Sequence, residues 1–361
     1  GCKLSENDEG WDVKVPYFRT LDLTREVDLI EEIARLIGYD KFSANLPDPI
    51  KPGILTSEQQ TERSLRKNLV STGMQEVCTY SLVPKNNNSV EQIAISNPLL
   101  KETSHLRTNM WEEHLNICKR NLDAGKTSCW LFEIGKIYKK FHEEFTEDSI
   151  LGGALTGTNC LEQWTEYSRN NNLDYFSARG LLEKSLLAMR ISSEDKVQNE
   201  KDYLHPGKSS EIYVEGKSIG FFGQVHPSIL THMDLPEDTY IFEIHLSNLL
   251  VAATRPSKWI PTYKPYPTVP AMERDISVWV KNGISSNELI KSIKKLGGEL
   301  LENVDLIDRY KSNNAQDERK SLTFRIRYRK RETTLTDIEI NPVHEKIISS
   351  LVEKHSAEIR A

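Results

Sequence analysis

Two clusters of proline divide this chain before any helix or strand is considered. Pro47, Pro49 and Pro52 fall within ANLPDPIKPG, and Pro256, Pro261, Pro265, Pro267 and Pro270 within RPSKWIPTYKPYPTVPAMERD. Proline lacks a backbone N–H and fixes its own φ, so neither stretch suits a helix interior or an inner strand. The 361 residues are thereby cut into three parts, 1–43, 54–252 and 266–361. That length suits two or three domains of ordinary size.

The first part contains YFRTLDLTREVDLIEEIARLIGY. Val27, Ile30, Ile33 or Ala34, and Ile37 recur near the helical period and predict an amphipathic helix over residues 25–36. Asp28, Glu31 and Glu32 stand at i, i+3 and i+4, so their carboxylates project from one side, and Asp22 in the preceding turn closes the set. Four carboxylates at one helix entrance repel each other unless hydrogen bonds, basic partners or a cation neutralise them. Magnesium, a hard cation that takes oxygen ligands, is one candidate. The alternative is an acidic first turn meeting the positive end of the helix dipole, with Arg25 and Arg35 as ion-pair partners.

Hydrophobic residues make up 38% and charged residues 28% of the chain, and no run approaches the ~18 apolar residues of a membrane helix. No membrane partner is expected. GCKLSENDEG lacks the apolar core of a secretory signal and opens on Gly, which suggests a fragment of a longer protein or a processed chain. Cys2, Cys78, Cys118, Cys129 and Cys160 are scattered and odd in number. They read as unpaired thiols in a reducing cytoplasm. A net charge of −6 argues against wholesale coating of a nucleic acid but leaves room for local basic faces.

The middle part alternates helices with short strands. Ser57 reads as the cap of a helix that stops at Gly73, followed by a strand over residues 76–83 and a loop at 86–88. A short strand ends at Asn97-Pro98, and a helix from Asn109 carries Leu115, Cys118 and Leu122 to Gly125. SCWLFEIG predicts a strand that stops at Gly135, ILGGALTG another, and Asp174 opens a helix. Glu215-Gly216 supplies the turn of a hairpin, and TYIFEIHLSNLL reads as a second hairpin-like segment. A mostly antiparallel sheet flanked by helices buries both kinds of apolar face. Catalytic chemistry is missing from this part. Glycine-rich phosphate loops and zinc spacings are absent. His205 and His226, each before Pro, read as strand-end turns, and Glu112, Glu113 and His114 as a helix surface. No catalytic residue is assigned, and the part reads as a scaffold or binding subunit.

The last part reads as strand (275–280), helix (285–296), strand (300–310), loop (311–319), strand (321–329) and helix, with AEIR offering a short final strand. That order is the split unit of a ferredoxin-like fold. In LTFRIRYRK, Leu322, Phe324, Ile326 and Tyr328 face one way, and Arg325, Arg327 and Arg329 the other. Lys330 and Arg331 prolong the basic run. Such a row suits phosphates; the alternative is an exposed strand balanced by Asp305 and Asp308. Thr336 and Glu339 have capping-box spacing, yet Pro342 lies where an uninterrupted helix needs its N–H. The preferred reading is a helix restarted at Asn341 and running to Lys354.

These segments together resemble the C-terminal half of the beta subunit of bacterial phenylalanine–tRNA ligases, nearly end to end. VPYFRTLDLTREVDLIEEIARLIGYDK resembles the end of the family's magnesium-carrying domain, and the resemblance implies Asp22, Asp28, Glu31 and Glu32 as Mg2+ ligands. NPLLKETSHLRTNM, WLFEIGKIY, LHPGKSSEI and GKSIGFFGQVHP resemble its catalytic-like module. YPTVPAMERDISVWV and KSLTFRIRYRKRETTLTDIEIN resemble its ferredoxin-fold anticodon-binding domain. The implied fold class is α+β: an inactive class II aminoacyl-tRNA synthetase-like antiparallel sheet with flanking helices, plus a C-terminal ferredoxin-like domain.

The resemblance also implies partners. They are an alpha subunit that carries ATP, phenylalanine and the chemistry, in an alpha2 beta2 heterotetramer, and tRNA(Phe). Helices over 57–72 and 108–123 are where the alpha–beta surface is expected, with an exposed apolar patch. The family's upstream tRNA-binding and editing domains have no counterpart here. Two departures stand out: Asn109-Met110-Trp111-Glu112-Glu113 is bulkier and more acidic than the family's usual continuation, and SNNAQDER replaces its glycine-rich loop. Rival readings are a middle module that binds a nucleotide or amino acid by itself, and a free-standing RNA-binding or regulatory paralogue.

Overall fold

The computed structural model describes residues 1–46, 53–86, 91–141, 144–158, 172–197, 200–255, 263, 265–311 and 319–360. Pro47, Pro49, Pro52, Pro256, Pro261, the loop residues at 87–88, most of the loop after residue 311, and Cys160 lie outside them. The chain divides into two compact units, Gly1–Lys258 and Trp259–Ala361.

The first unit opens with a hairpin, β1 (Lys3–Asn7) and β2 (Gly10–Lys14), followed by α1 (Glu26–Ile37). The Asp28 carboxylate accepts the N–H groups of Thr24 (2.9 Å) and Arg25 (2.7 Å), which starts α1 where the sequence predicts. Helix α2 (Ser57–Ser71) is capped by Thr56 and not by Ser57. The Thr56 hydroxyl accepts the Gln59 N–H at 3.2 Å, and the Gln59 side chain accepts the Thr56 N–H at 3.0 Å, a capping box.

The strand expected over 76–83 is two separate pieces. β3 (Gln75–Glu76) pairs in parallel with the start of a later strand, and β4 (Leu82–Val83) pairs with β5 (His105–Leu106) in a small sheet of its own. Between them Thr79 turns inward to a buried carboxylate, which breaks the ladder. The strand expected before Pro98 reduces to a bridge between Ala94 and His105.

Next come α3 (Trp111–Asp123), β6 (Ser128–Phe141) and β7 (Glu144–Gly157). β6 does not stop at Gly135, because β7 continues the ladder from Lys136↔Ser149 to Phe141↔Glu144. Glycine is needed at 135 for a different reason: a Cβ there would come within 2.5 Å of the Arg107 Nη2.

The unit ends with α4 (Tyr175–Ala188), β8 (Ser193–Val197), β9 (Leu204–Val214), β10 (Lys217–Val225), α5 (Pro227–Met233), β11 (Thr239–His245) and α6 (Leu246–Ala253). Glu215 (φ 51°) and Gly216 (φ 80°) make the turn between β9 and β10, with both φ positive as a two-residue hairpin turn requires. TYIFEIHLSNLL is a strand running into a helix, not a hairpin, because Leu246, Leu249, Ala252 and Ala253 return to the core at helical spacing.

The seven strands lie in the order β3-β6-β7-β11-β10-β9-β8, antiparallel except for β3 against β6. Alternation along β6 and β11 feeds two cores. Trp130, Phe132, Tyr240, Phe242 and Ile244 meet α2, α4 and α6 on one face; Cys129, Leu131 and Ile241 meet α3 and α5 on the other. Burying each large aromatic contributes about 1.5–3 kcal/mol. Both faces of the sheet are covered.

In the second unit β12 (Met272–Lys281), α7 (Ser286–Gly297), β13 (Leu301–Lys311), β14 (Arg319–Tyr328), α8 (Asp337–His355) and β15 (Glu358–Ile359) give the sheet order β13-β14-β12-β15. This is the antiparallel ferredoxin-like arrangement. Ile276, Val278, Phe324, Ile326 and Tyr328 bury one sheet face against Leu289, Ile293, Ile340, Ile347 and Leu351 of the two helices. Helix α8 starts at Asp337, four residues ahead of the expected restart at Asn341. Glu339 accepts both the Thr336 N–H and its hydroxyl at 3.1 Å, so the cap forms where Thr336 stands. Pro342 lies inside the helix and costs the hydrogen bond to the Ile338 carbonyl, which the burial of Ile340 and Ile347 offsets.

Candidate nucleic-acid interface

The open face of the ferredoxin-like sheet carries the predicted basic row, and each of its first four cations meets an acid. Register places Arg325 opposite Asp275 and Arg327 opposite Glu273. Arg325 holds Asp275 through two bonds, Nε–Oδ1 at 2.9 Å and Nη2–Oδ2 at 2.8 Å. Arg327 donates to Glu273 Oε1 at 3.0 and 2.8 Å. Arg329 reaches Glu302 at 3.1 Å and the Val269 carbonyl at 2.9 Å. Lys330 pairs with Glu339, and Arg331 is exposed. The balancing acids are therefore Glu273, Asp275, Glu302 and Glu339, not Asp305 and Asp308. Hydrogen bonding to Asp275 pushes the Arg325 pKa up, and the same bonds hold Asp275 below the usual carboxylate range. About two-fifths of each side chain in the Arg325–Asp275 pair is open to solvent. Water screens such a pair, and a phosphate can exchange for the carboxylate at small cost.

Farther along the same face lies a group that the sequence reading missed. Trp279 and Tyr310 lie on the row shared with Ser321, their ring centroids 5.9 Å apart and edge to face. The Arg360 guanidinium stands 5.6 Å from the Trp279 ring and 5.4 Å from Tyr310, and Arg319 stands 5.8 Å from Trp279. Aromatic rings beside guanidiniums stack nucleobases while the charges track the backbone. The signal for Trp279 was present in DISVWV, whose alternation puts it on the face of Asp275. Arg360 is brought there only by pairing of β15 with β12.

The four carboxylates of the first part do not converge. Asp28 spends Oδ2 on the Thr24 and Arg25 N–H groups, and Arg25 reaches its Oδ1 at 3.3 Å. Glu32 accepts two bonds from Arg19, each 3.0 Å, and one from Arg35 at 2.6 Å. Arg19 also holds Asp22 at 2.5 Å, while Glu31 is exposed. The bonds from Arg19 and Arg35 pull Glu32 down to about 2, and the two backbone N–H groups lower Asp28. Among the described residues no three His, Cys, Asp or Glu side chains gather as metal ligands. In this arrangement the guanidiniums of Arg19 and Arg35 neutralise Asp22 and Glu32.

In the first unit the buried polar groups around Glu133 bond one another. Arg107 meets Glu133 at 3.1 Å, both almost fully buried. Glu133 also accepts Thr79 (2.5 Å) and bonds His114 Nε2 (3.1 Å), and Arg107 donates to the Lys136 carbonyl at 2.7 Å. His114, expected on a helix surface, is wholly buried, because the covered second face turns that side of α3 inward. Burial would raise Glu133, but hydrogen bonds from His114 and Thr79 and the Arg107 charge bring it down to about 2. Glu243 on β11 accepts the N–H groups of Met110 (2.6 Å) and Trp111 (3.1 Å) and so closes the N-terminus of α3, although burial raises its pKa. The rival nucleotide-binding reading asks for Arg and Glu converging on a deep pocket; here they converge on each other.

Residues 45–246, more than half of the chain, match the sequence family described as phenylalanyl tRNA synthetase beta chain CLM domain. The chain belongs to that family. Residues 267–360 match the ferredoxin-fold anticodon binding domain, and residues 1–39 the tRNA synthetase B5 domain. The phenylalanine–tRNA ligase beta subunits of Prochlorococcus marinus strain NATL2A and Synechococcus sp. strain CC9605 are 51% and 47% identical over all 361 residues. The chain spans 44% and 45% of their lengths, less than half of each. Pyrrolysyl-tRNA synthetase from Desulfitobacterium hafniense aligns over 54% of this chain and 68% of its own, at 14% identity and a TM-score of 0.41, too slight a likeness to argue from. The sheet of the CLM match is covered by its own helices. The exposed charged and aromatic surface of the second unit belongs to the anticodon-binding match. Among the described residues no helix is long and apolar enough to cross a membrane.

Proposed function

We propose that this chain is a non-catalytic, structural and tRNA-binding portion of a phenylalanine–tRNA ligase beta subunit, working in the cytoplasm. It joins an alpha subunit in an alpha2 beta2 assembly, and the alpha subunit carries ATP, phenylalanine and the attachment of phenylalanine to tRNA(Phe). What supports this reading is the contrast between the two units: Arg107, Glu133 and His114 are locked together inside the CLM sheet, while Arg325, Arg327, Trp279 and Tyr310 lie on the open ferredoxin-like face. Arg325, Arg327, Arg329 and Lys330 then exchange their carboxylates for tRNA phosphates, Arg331 adds a further charge to the row, and Trp279 and Tyr310 take bases.

Magnesium enters the proposal as a competitor. An ion reaches Asp22, Asp28, Glu31 and Glu32 only where Arg19 gives up its bonds to Asp22 and Glu32.

The deciding experiment is a pull-down with mass determination against the host's alpha-type subunit. A stable complex of equal stoichiometry that charges tRNA(Phe) supports the assignment. A chain that ignores the alpha subunit but binds RNA supports the free-standing paralogue instead. Submillimolar binding of both ATP and phenylalanine to the chain alone overturns the non-catalytic reading.

A further inference from the structure

The open face of the ferredoxin-like sheet is divided by charge along its strands. Register places Glu273, Arg327 and Asn303 in one row, Asp275, Arg325 and Asp305 in the next, and Ser277, Thr323 and Asp308 in a third. Directly opposed residues of antiparallel strands share a side of the sheet, so four carboxylates stand on these rows beside two guanidiniums. Arg327 and Arg325 hold Glu273 and Asp275, and Asp305 accepts the Asn303 side-chain amide at 2.9 Å. Farther along, Trp279, Ser321 and Tyr310 form one row and Lys281 and Arg319 the next, with Arg360 over both rings. Carboxylates dominate one end of the face, and rings with cations the other.

We propose, on the reading of this face as an RNA surface, that Glu273, Asp275 and Asp305 make it selective for RNA with unpaired bases over polyanions that carry none. A phosphate or sulfate reaches Arg325 or Arg327 only by displacing a carboxylate of this chain. Opening an exposed pair weakens binding by up to about fivefold, and Asp305 adds repulsion beside Arg325. RNA with unstacked bases offsets that loss on Trp279 and Tyr310, since each stacked base strengthens binding by roughly fivefold or more. Held there through its bases, it meets the paired arginines second. A polyanion without bases has nothing to stack and depends on the cations alone, so it gains most when the carboxylates are removed. The three acids are specificity-determining groups, set against anions that bring charge without a base.

The test uses the full chain, native and with Glu273→Gln and Asp275→Asn together, and Asp305→Asn as a separate change that breaks no arginine pair. Affinities for tRNA(Phe) and for heparin, a polyanion without bases, are measured at one fixed salt concentration. Tm shows that each variant is folded. The native chain should prefer tRNA(Phe). The double variant should gain roughly tenfold for heparin and less for tRNA(Phe), so that the preference narrows, and Asp305→Asn should narrow it by a smaller factor. Equal gains for the two ligands would overturn the proposal, because the acids would then hinder every polyanion alike. Unchanged heparin binding in both variants would overturn it as well. A native chain that binds no tRNA(Phe) overturns the RNA reading itself, and that failure shows before any substitution is made.

Discussion

The chain places one kind of ion pair in two surroundings. In the CLM sheet Arg107 and Glu133 meet with both side chains at least 96% buried; on the ferredoxin-like sheet Arg325 and Asp275 meet with about two-fifths of each exposed. The distances are alike, 3.1 and 2.8 Å, so geometry does not separate them. Water does. Inside, each charge has lost its hydration and depends wholly on its partner. Outside, solvent screens the pair, and either member can change partner at little cost. The first pair is therefore costly to break, and the second is free to change partner.

The largest effect that tests this contrast is Arg107→Ala. It leaves Glu133 buried against His114 and Thr79 without its cation, and removing one partner of a buried pair costs roughly 3–5 kcal/mol. Urea or thermal unfolding of the CLM unit should show it. A loss no greater than that of Arg325→Ala would erase the distinction between inside and outside. The same pair makes a pH prediction. The folded-state pKa of Glu133 is depressed from 4.5 to about 2, so its contribution is fully present above the unfolded value and is lost as pH falls through that window. Thermal melts from pH 5 down to about pH 2 should fall more steeply for the native chain than for Glu133→Gln. A Glu133→Gln curve parallel to the native one would mean that the carboxylate is not held ionised by its partners.

On the open sheet the aromatic group should outweigh any single charge. Trp279→Ala or Tyr310→Ala removes a stacking surface, and such losses run at about 1–3 kcal/mol per base. Binding of tRNA(Phe) measured by fluorescence anisotropy checks it, and unchanged affinity would confine the interface to the charged row. The charges act differently, through salt dependence. Arg325→Ala with Arg327→Ala should lower the slope of log K against log salt by roughly 0.7–0.9 for each phosphate no longer neutralised. Glu273→Gln with Asp275→Asn should strengthen RNA binding, since both arginines are then freed of their carboxylates. If the acid-to-amide pair weakens binding, the carboxylates orient the arginines rather than compete for them.

How far the sequence reaches depends on the range of the physics involved. Period-two alternation placed Phe324, Ile326 and Arg325 correctly, because the side of a strand on which a residue sits is a local property. Register is not local. The acids opposing Arg325 and Arg327 come from a strand about 50 residues earlier, and Arg360 from the far end of the chain, so neither was legible. His114 was misjudged because its helix looked one-sided, with a polar face that belongs in water. The structure instead buries that face against a carboxylate from β6. Pro342 misled for the opposite reason. The local cost of proline was set above the capping box at Thr336 and Glu339, which the sequence also offered, while the burial of Ile340 and Ile347 that helps to outweigh that cost comes from tertiary packing.

The smallest expected effect concerns Arg19, which bridges Asp22 and Glu32 in the place a cation would take. If magnesium and arginine compete for these oxygens, magnesium raises the Tm of the native chain slightly, and Arg19→Ala enlarges the rise because two carboxylates lose their counter-charge. Asp28→Ala with Glu32→Ala should abolish it. That double variant also loses the hydrogen bonds to the Thr24 and Arg25 N–H groups, so its Tm is lower with or without metal. The quantity to compare is therefore the difference between melts in magnesium and in chelator, taken within each variant. Equal differences in the native chain, Arg19→Ala and the double variant would leave these acids as a helix cap and an arginine-bridged face, with no metal role.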